Sequence, residues 1–298
     1  MKHQYELVAL RNSVLTLLTA LAVVLPFSAA HADSSVWQVK SDSSTLYIGG
    51  TVHLLRPSDY PLPSEYEEAY GDSQELYFET DISSMNDLSV QAKMLQELTY
   101  NDDRTLNSVL NDEAYTALTE YTEKVGLPLM MMEKFKPGMI VSTLQILEFQ
   151  KLGFTPQGVD AHFNARGIGD GKSIGALETI EEQIGFLAAM GEGNESEFIL
   201  LSLSDLEKTN EIMGEMITAW RDGDSDRLEE LFVTDMKEQA PDLYDSLLRQ
   251  RNFRWIPQIE QMLNDSDTEF VLVGAAHLIG EDGLVTLLRA RGYEVTQL

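Results

Sequence analysis

The sequence predicts an α/β fold with a central mixed or mostly parallel sheet and a large helical share inserted between its strands. Short segments rich in Val, Ile, Tyr and Phe, which are typical of buried strands, alternate with longer amphipathic stretches. Two of the strand segments end in the same Gly-x-x-His pattern, which begins at Gly50 and again at Gly274. A recurrence of the whole context, strand included, indicates a shared structural role.

The predicted strands are short and lie far apart along the chain. The last two bracket a helical stretch over residues 283–289, so we expect this strand-helix-strand unit to be a parallel, right-handed crossover. The strand segments are Trp37–Val39, Thr45–Gly49, Glu75–Glu79, Lys172–Leu177, Phe270–Gly274 and Tyr293–Gln297.

The predicted helices are amphipathic, and several begin at a capping residue. Asn111 precedes two acids and Ser204 precedes one, and acids in a first turn are favoured by the helix dipole. The helical stretches are Asp87–Leu98, Asp112–Val125, Lys136–Lys151, Thr179–Met190, Ser204–Trp220, Asp226–Lys237 and Pro241–Asn264.

The N-terminal segment has the pattern of a secretory signal peptide. Lys2 and Arg11 precede an apolar stretch over residues 14–27, and Ala30-His31-Ala32 is a small-x-small cleavage site. The apolar stretch is shorter than the roughly 20 residues that span a bilayer. We therefore expect residues 1–32 to be removed without leaving a stable membrane anchor, and the mature protein to be periplasmic or secreted.

Residues 33–298 are expected to form one domain. Their apolar content is ordinary, no Pro/Gly/Ser-rich linker divides them, and a chain of this length can bury one large core. Helical insertions are expected at about 84–151 and 204–264, where they would flank the site, because inserted segments often determine specificity. The sequence does not fix the oligomeric state.

The chain is strongly acidic and has no cysteine. Its formal net charge of −28 would repel nucleic acid and anionic membranes, so neither is an expected partner. The absence of cysteine excludes disulfides, thiolate metal sites and cysteine nucleophiles. Any metal ion must therefore be bound by His, Asp, Glu and carbonyl oxygen.

The two Gly-x-x-His motifs place His53 and His277 just beyond predicted strands, where ligands bind in open α/β sheets. A third strand ends at Glu79. If the three strands are neighbours, two imidazoles and one carboxylate converge, which is a ligand set for a divalent ion such as Zn²⁺, Mn²⁺, Co²⁺ or Fe²⁺. Each residue also has a structural interpretation: either histidine alone is more often a hydrogen-bonded structural residue, and a strand-end acid is often a cap or an ion-pair partner.

Several motifs, taken in order, resemble the TraB/GumN family, which includes the pheromone-shutdown proteins of conjugative plasmids and is related to the animal Tiki proteins. The resemblance covers nearly all of the chain after residue 36. The motifs are Ile48-Gly-Gly-Thr-Val-His53-Leu-Leu, Tyr77-Phe-Glu79-Thr-Asp, Gly158-Val-Asp160, Ile174-Gly-Ala-Leu-Glu178-Thr-Ile-Glu-Glu-Gln183, Arg251-Asn252 and Val273-Gly274-Ala-Ala-His277.

This resemblance implies a function. Tiki proteins are described as metal-dependent proteases that need both Gly-x-x-His motifs and a glutamate, which correspond to His53, His277 and Glu79. The family's arginine-asparagine pair corresponds to Arg251 and Asn252, either of which could donate to a developing oxyanion. Its Leu-Glu-Thr motif corresponds to a further acid, Glu178, although close relatives often lack the alanine that precedes the leucine here.

The resemblance thus implies a metal-dependent peptidase that uses Mn²⁺, Co²⁺ or Zn²⁺ and acts on a peptide or protein substrate. Glu79 would be either a ligand or the general base. Two alternatives remain open at this stage. One is a non-catalytic protein that sequesters a peptide signal; the other is a haem- or metal-binding protein, or an esterase-type hydrolase, on a related fold.

Overall fold

A six-stranded mixed sheet forms the centre of residues 33–298, the part of the chain that the computed structural model describes. The predicted signal peptide, residues 1–32, lies outside these described residues. The strands are β1 (Val36–Lys40), β2 (Thr45–Thr51), β3 (Glu75–Phe78), β4 (Ser173–Ala176), β5 (Glu269–Gly274) and β6 (Glu294–Gln297).

The strand order across the sheet is β4-β3-β5-β2-β1-β6. The first four strands are parallel to one another, whereas β1 is antiparallel to both β2 and β6. Strands β5 and β6 therefore run in the same direction, as the C-terminal strand-helix-strand unit predicted, with β2 and β1 between them. The predicted α/β fold with a large helical share is confirmed.

Helices make up most of the rest of the described chain. In chain order they are α1 (Ser64–Asp72), α2 (Leu88–Glu97), α3 (Leu106–Val109), α4 (Asp112–Lys124), α5 (Pro137–Lys151), α6 (Val159–Asp170), α7 (Ile180–Ala189), α8 (Glu195–Arg221), α9 (Ser225–Glu229), α10 (Asp235–Gln239), α11 (Pro241–Tyr244), α12 (Gln250–Met262) and α13 (Leu284–Ala290). Within residues 33–298, no helix is both long and apolar enough to cross a bilayer.

Helix α8 begins earlier than the sequence predicted. It starts at Glu195, whereas the pattern Ser204-Asp205 suggested a helix start. Those two residues are exposed on the outer side of the helix, while Ile199, Leu203 and Leu206 are buried. A cap-like pair inside a helix is indistinguishable from a true cap when the preceding residues are almost all apolar.

Two predicted helices each contain a π-helical turn. One lies at Glu230–Thr234, between α9 and α10, and the other at Asp245–Arg249, between α11 and α12. π-turns occur often at functional sites because they shift the helix face by one residue. The second turn ends at Arg249, two residues before Arg251.

The apolar interior has two parts. The larger core packs helices against the sheet around Trp220, Trp255 and Phe270. The smaller core lies between α4, α5 and the first half of α8, and includes Leu118 and Ile140. The sheet core fixes the end of β2, because the Gly50 carbonyl accepts hydrogen bonds from Trp220 Nε1 at 2.7 Å and from the Tyr66 hydroxyl.

Gly158, which precedes α6, packs directly on the chain segment that follows β2. A Cβ at this position would lie 2.3 Å from the His53 carbonyl oxygen and 2.3 Å from that of Val52. The next residue, Val159, donates its N–H to the Val52 carbonyl at 3.0 Å. Helix α6 and the first Gly-x-x-His segment are therefore fixed to each other by backbone contact.

Gly158→Ala is expected to lower the free energy of unfolding by about 1–3 kcal/mol or more, because backbone atoms cannot yield as side chains do. Gly169→Ala is the matched control, because that glycine lies in α6 itself and an added methyl group would meet nothing within 4 Å. The control should be neutral or stabilising by up to about 1 kcal/mol. Urea denaturation measures both, and equal stabilities would contradict this packing.

Candidate active site

The four parallel strands each deliver one titratable side chain to the carboxyl edge of the sheet. Across the sheet these are Glu178 after β4, Glu79 after β3, His277 after β5 and His53 after β2. The backbone hydrogen bonding between β3 and β4 continues past the ends of these strands, because the Glu178 N–H donates to the Glu79 carbonyl at 2.9 Å. The three strands that precede Glu79, His277 and His53 are neighbours. The convergence of these side chains that we expected from the sequence depends on this.

Glu79 is the second residue in the row of strand-end residues Glu178, Glu79, His277 and His53. It accepts three hydrogen bonds. Its Oε1 accepts from the Gly274 N–H at 2.7 Å, and its Oε2 accepts from Arg251 Nη2 at 2.5 Å and Gln183 Nε2 at 3.1 Å. Burial by itself would raise the pKa of this carboxyl. The positive charges of Arg251 and His53, together with the hydrogen bond from Gly274, outweigh burial, so the pKa lies well below its ordinary value and Glu79 is a carboxylate at neutral pH.

His277 is buried in a 3-10 turn, and its tautomer follows from its partners. Asn252 donates its amide N–H groups to the carbonyls of His277 at 3.1 Å and Asp282 at 2.8 Å, so its Oδ1 is an acceptor. His277 Nδ1, 2.7 Å from that oxygen, is therefore the protonated nitrogen. Nε2 carries the lone pair and accepts from Arg251 Nη1 at 3.1 Å. Burial lowers the pKa of His277 to about 3, so the ring is neutral.

His53 has the same position after its strand but a different environment. Its side chain is 68% exposed, and its Nδ1 lies 2.8 Å from Oδ2 of the buried Asp160, in the first turn of α6. The negative charge of Asp160 raises the pKa of His53 to about 9. At neutral pH the ring is protonated on both nitrogens, so Nε2 can bind a metal ion only after it has lost its proton.

Arg251 joins the two acids and His277. Its Nε and Nη2 donate to Glu178 Oε1 at 2.8 Å and Oε2 at 2.9 Å, which is the bidentate geometry of strong arginine-carboxylate pairs. Glu178 also accepts from Trp255 Nε1 at 3.1 Å. The guanidinium carbon lies 4.8 Å from the centre of the Trp255 ring and 5.2 Å from that of Phe186. The cation is therefore fixed by charge and by aromatic contacts.

Arg251 has no N–H left for a substrate. Nη1 donates to the Leu247 carbonyl at 3.1 Å as well as to His277, and Nη2 donates to both acids. Together with Nε, these contacts use all five guanidinium donors. Both amide donors of Asn252 are also in use. In this arrangement the two residues position other side chains, and neither has a donor free for an oxyanion, which is the role that the sequence analysis suggested for them.

The donor types at this edge suit a divalent transition metal. Both imidazoles have Nδ1 bonded to a side-chain oxygen, which is how metal-binding histidines are usually oriented, and Glu79 is ionised. Glu79 Oε1 and His277 Nε2 are 3.9 Å apart. Nevertheless, no three His, Asp or Glu side chains within residues 33–298 are arranged to hold a metal ion as they stand. The donors fit by chemistry, but Arg251 occupies two of them.

Sequence reasoning located the row of residues but missed three contributors. Asp160 orients His53, Gln183 bonds both Glu79 and Glu178, and Trp255 bonds Glu178. Asp160 could have been found, because it lies within one of the motifs that carried the family resemblance. Gln183 also lies within one of those motifs, whereas Trp255 had no such signal, because it looks like an ordinary position on an amphipathic helix. The third described histidine, His162, packs against the rings of Tyr60 and Phe163.

The family model described as TraB/PrgY/gumN matches residues 35–297. The chain belongs to the TraB/PrgY/gumN family. The resemblance seen in the sequence motifs is thereby confirmed, and the matched range contains every residue of the site. Searches of curated proteins and of solved structures give no match.

In this TraB/PrgY/gumN chain, Asp160→Asn is expected to lower the pKa of His53 from about 9 towards its ordinary value of about 6.5, because the main source of the increase is removed. An NMR titration of the His53 Cε1–H measures this. Asp170→Asn, at the other end of α6 and bonded to Tyr70, is the matched control and should leave the titration unchanged.

The same substitution changes how stability depends on pH. Because folding raises the pKa of His53, its contribution to stability is fully present below about pH 6.5 and is lost as the pH rises through about 9. The stability deficit of Asp160→Asn should therefore be largest near pH 6 and shrink towards pH 9. A deficit that is constant over this range would contradict the ion pair.

Proposed function

We propose that the protein is a secreted or periplasmic divalent-metal-dependent hydrolase, and specifically a peptidase, that works at the edge formed by His53, Glu79 and His277. The observation that carries the proposal is the matched orientation of the two imidazoles. Each has its Nδ1 bonded to a side-chain oxygen, from Asp160 in one case and from Asn252 in the other, so that Nε2 is the nitrogen by which each ring would bind a metal ion. Binding requires His53 to lose its Nε2 proton and His277 to lose its hydrogen bond from Arg251.

The chain's residues divide into binding and positioning groups. His53, His277 and Glu79 would bind Mn²⁺, Co²⁺ or Zn²⁺, which are metals that accept imidazole and carboxylate ligands. The chemistry that such an ion supplies is polarisation of a carbonyl and activation of water. The low pKa of Glu79 favours a ligand over a general base, because a base works best when its pKa is near the working pH.

The positioning residues hold the row in place. Asp160 and Asn252 fix the two rings, and Glu178 fixes Arg251. We assign Asp160, Asn252, Glu178 and Arg251 to positioning, since each is buried and is bonded to another side chain of the site.

The exposure of His53 supports a large substrate. Its side chain is 68% exposed, so the site meets the protein surface and is not enclosed. A peptide or protein chain can approach such an edge without a cavity that encloses it. This is the reason, beyond family membership, to propose peptide bonds over small-molecule esters.

A second candidate function is hydrolysis without a metal, and the His53–Asp160 pair favours it. An imidazole backed by a buried carboxylate is a general acid or base in many hydrolases. In that case the raised pKa would make His53 an acid at neutral pH and a base only at alkaline pH. Chelation distinguishes the candidates, because a metal-free hydrolase keeps its activity in EDTA.

Residues 33–298, purified without metal-affinity resin, should cleave members of a quenched peptide library when Mn²⁺, Co²⁺ or Zn²⁺ is supplied. His53→Ala and His277→Ala should each lower turnover by at least about 100-fold, because each removes a ligand. The matched control is His162→Ala, which removes the remaining described histidine, outside the row.

Circular dichroism checks that each variant is folded, and elemental analysis measures its metal content. Folded parent protein that neither binds nor cleaves with any of the three metals would contradict the proposal and favour a peptide-sequestering protein. Full activity in either folded histidine variant would also contradict it.

A further inference from the structure

The Arg251 guanidinium uses the donor atoms that a metal ion would need. Its Nη1 donates to His277 Nε2 at 3.1 Å, and its Nη2 donates to Glu79 Oε2 at 2.5 Å. An imidazole nitrogen has one lone pair, so it cannot accept this hydrogen bond and coordinate a metal at the same time. Metal binding by His277 therefore requires the guanidinium to leave it.

The positive charge of Arg251 also opposes metal binding at this position. The arginine side chain is only 8% exposed and is positively charged at every working pH. A divalent ion bound by the same histidine and glutamate would lie close to this charge with little water between them to screen the repulsion. Arg251 already supplies the positive charge that neutralises Glu79, so a second cation is in competition with it.

The structure also contains an acceptor to which the guanidinium can withdraw. Glu178 already forms the bidentate pair with Nε and Nη2, and the Trp255 and Phe186 rings lie beside the same cation. These contacts do not involve His277 or Glu79. Losing Nη1 from His277 and Nη2 from Glu79 would thus leave the cation with a complete buried partner.

We infer that Arg251 is an internal cation that competes with the metal for Glu79 and His277, and that Glu178 is the acceptor that makes its withdrawal possible. The inference rests on the proposed function, because it takes these two residues as metal ligands. It makes Arg251 a determinant of metal affinity, and it gives Glu178 a reason to be buried beside an arginine.

Isothermal titration with Co²⁺ alone tests this, without reference to activity. Arg251→Met should bind Co²⁺ about ten-fold more tightly than the parent, or tighter still, because the competing charge is gone. Arg254→Met is the matched control. Arg254 lies on the same helix, 3.5 Å from Glu178, but it is 43% exposed and makes no ion pair with Glu79 or His277 within the described chain. This control should change the affinity by less than about two-fold, because water screens its charge.

Glu178→Gln tests the second half of the inference. It should weaken Co²⁺ binding in the parent, since Arg251 then depends more on Glu79, but should have little effect in the Arg251→Met background. If Glu178 acted only through its own negative charge, the loss would be equal in both backgrounds, and this half of the inference would be wrong. Such a double-mutant cycle isolates the coupling between the two residues.

The double variant, Arg251→Met with Glu178→Gln, keeps the inference testable if Arg251→Met alone does not fold. Arg251→Met alone leaves Glu178 as a buried charge without its partner, which can prevent folding. The double variant removes both charges, so it can be compared with Glu178→Gln if the single variant fails. Co²⁺ binding that is no tighter without Arg251, or that rises equally in Arg254→Met, would overturn the inference.

The Co²⁺-binding result can be distinguished from the outcome of the peptidase test. Tighter binding in the Arg251 variants of a protein that cleaves no peptide would support the inference and contradict only the peptidase. A parent that cleaves peptides with Co²⁺ and binds Co²⁺ as tightly as the Arg251 variants would support the peptidase and contradict the inference.

Discussion

The buried contact between Arg251 and its two acids is the interaction on which the site depends. It connects α12 to the ends of β3 and β4, and through His277 to the end of β5. Breaking one partner of such a cluster is costly, because it leaves an uncompensated charge in the interior. The cluster therefore connects these strand ends to one helix in the structure described.

The two Gly-x-x-His motifs are alike in sequence and unlike in chemistry. Both follow neighbouring parallel strands, and in both the ring is oriented through Nδ1. One ring is exposed beside Asp160 and is protonated at neutral pH, while the other is buried beside Asn252 and is neutral. The charge of Asp160 raises the pKa of the exposed ring, and burial lowers the pKa of the other.

Sequence patterns were sufficient for the sheet and for the row of strand-end residues, because strand composition and the repeated glycine-histidine spacing are local signals. They were insufficient wherever a contact joined distant segments. The pairing of Asp160 with His53, and the use of every Arg251 donor inside the protein, depend on how α6 and α12 pack on the sheet. The early start of α8 and the π-turn before Arg251 were missed for the same reason: tertiary packing overrides local caps and helix period there.

The measurement that tests the central claim most directly is anomalous X-ray diffraction from crystals of residues 33–298 grown with Co²⁺, collected on both sides of the cobalt absorption edge. The account predicts one strong anomalous peak among Nε2 of His53, Nε2 of His277 and the Glu79 carboxylate. Arg251 should then be bonded to Glu178 and no longer to Glu79 or His277. A structure with Arg251 still on His277, and either no peak or a peak elsewhere on this acidic surface, would contradict it.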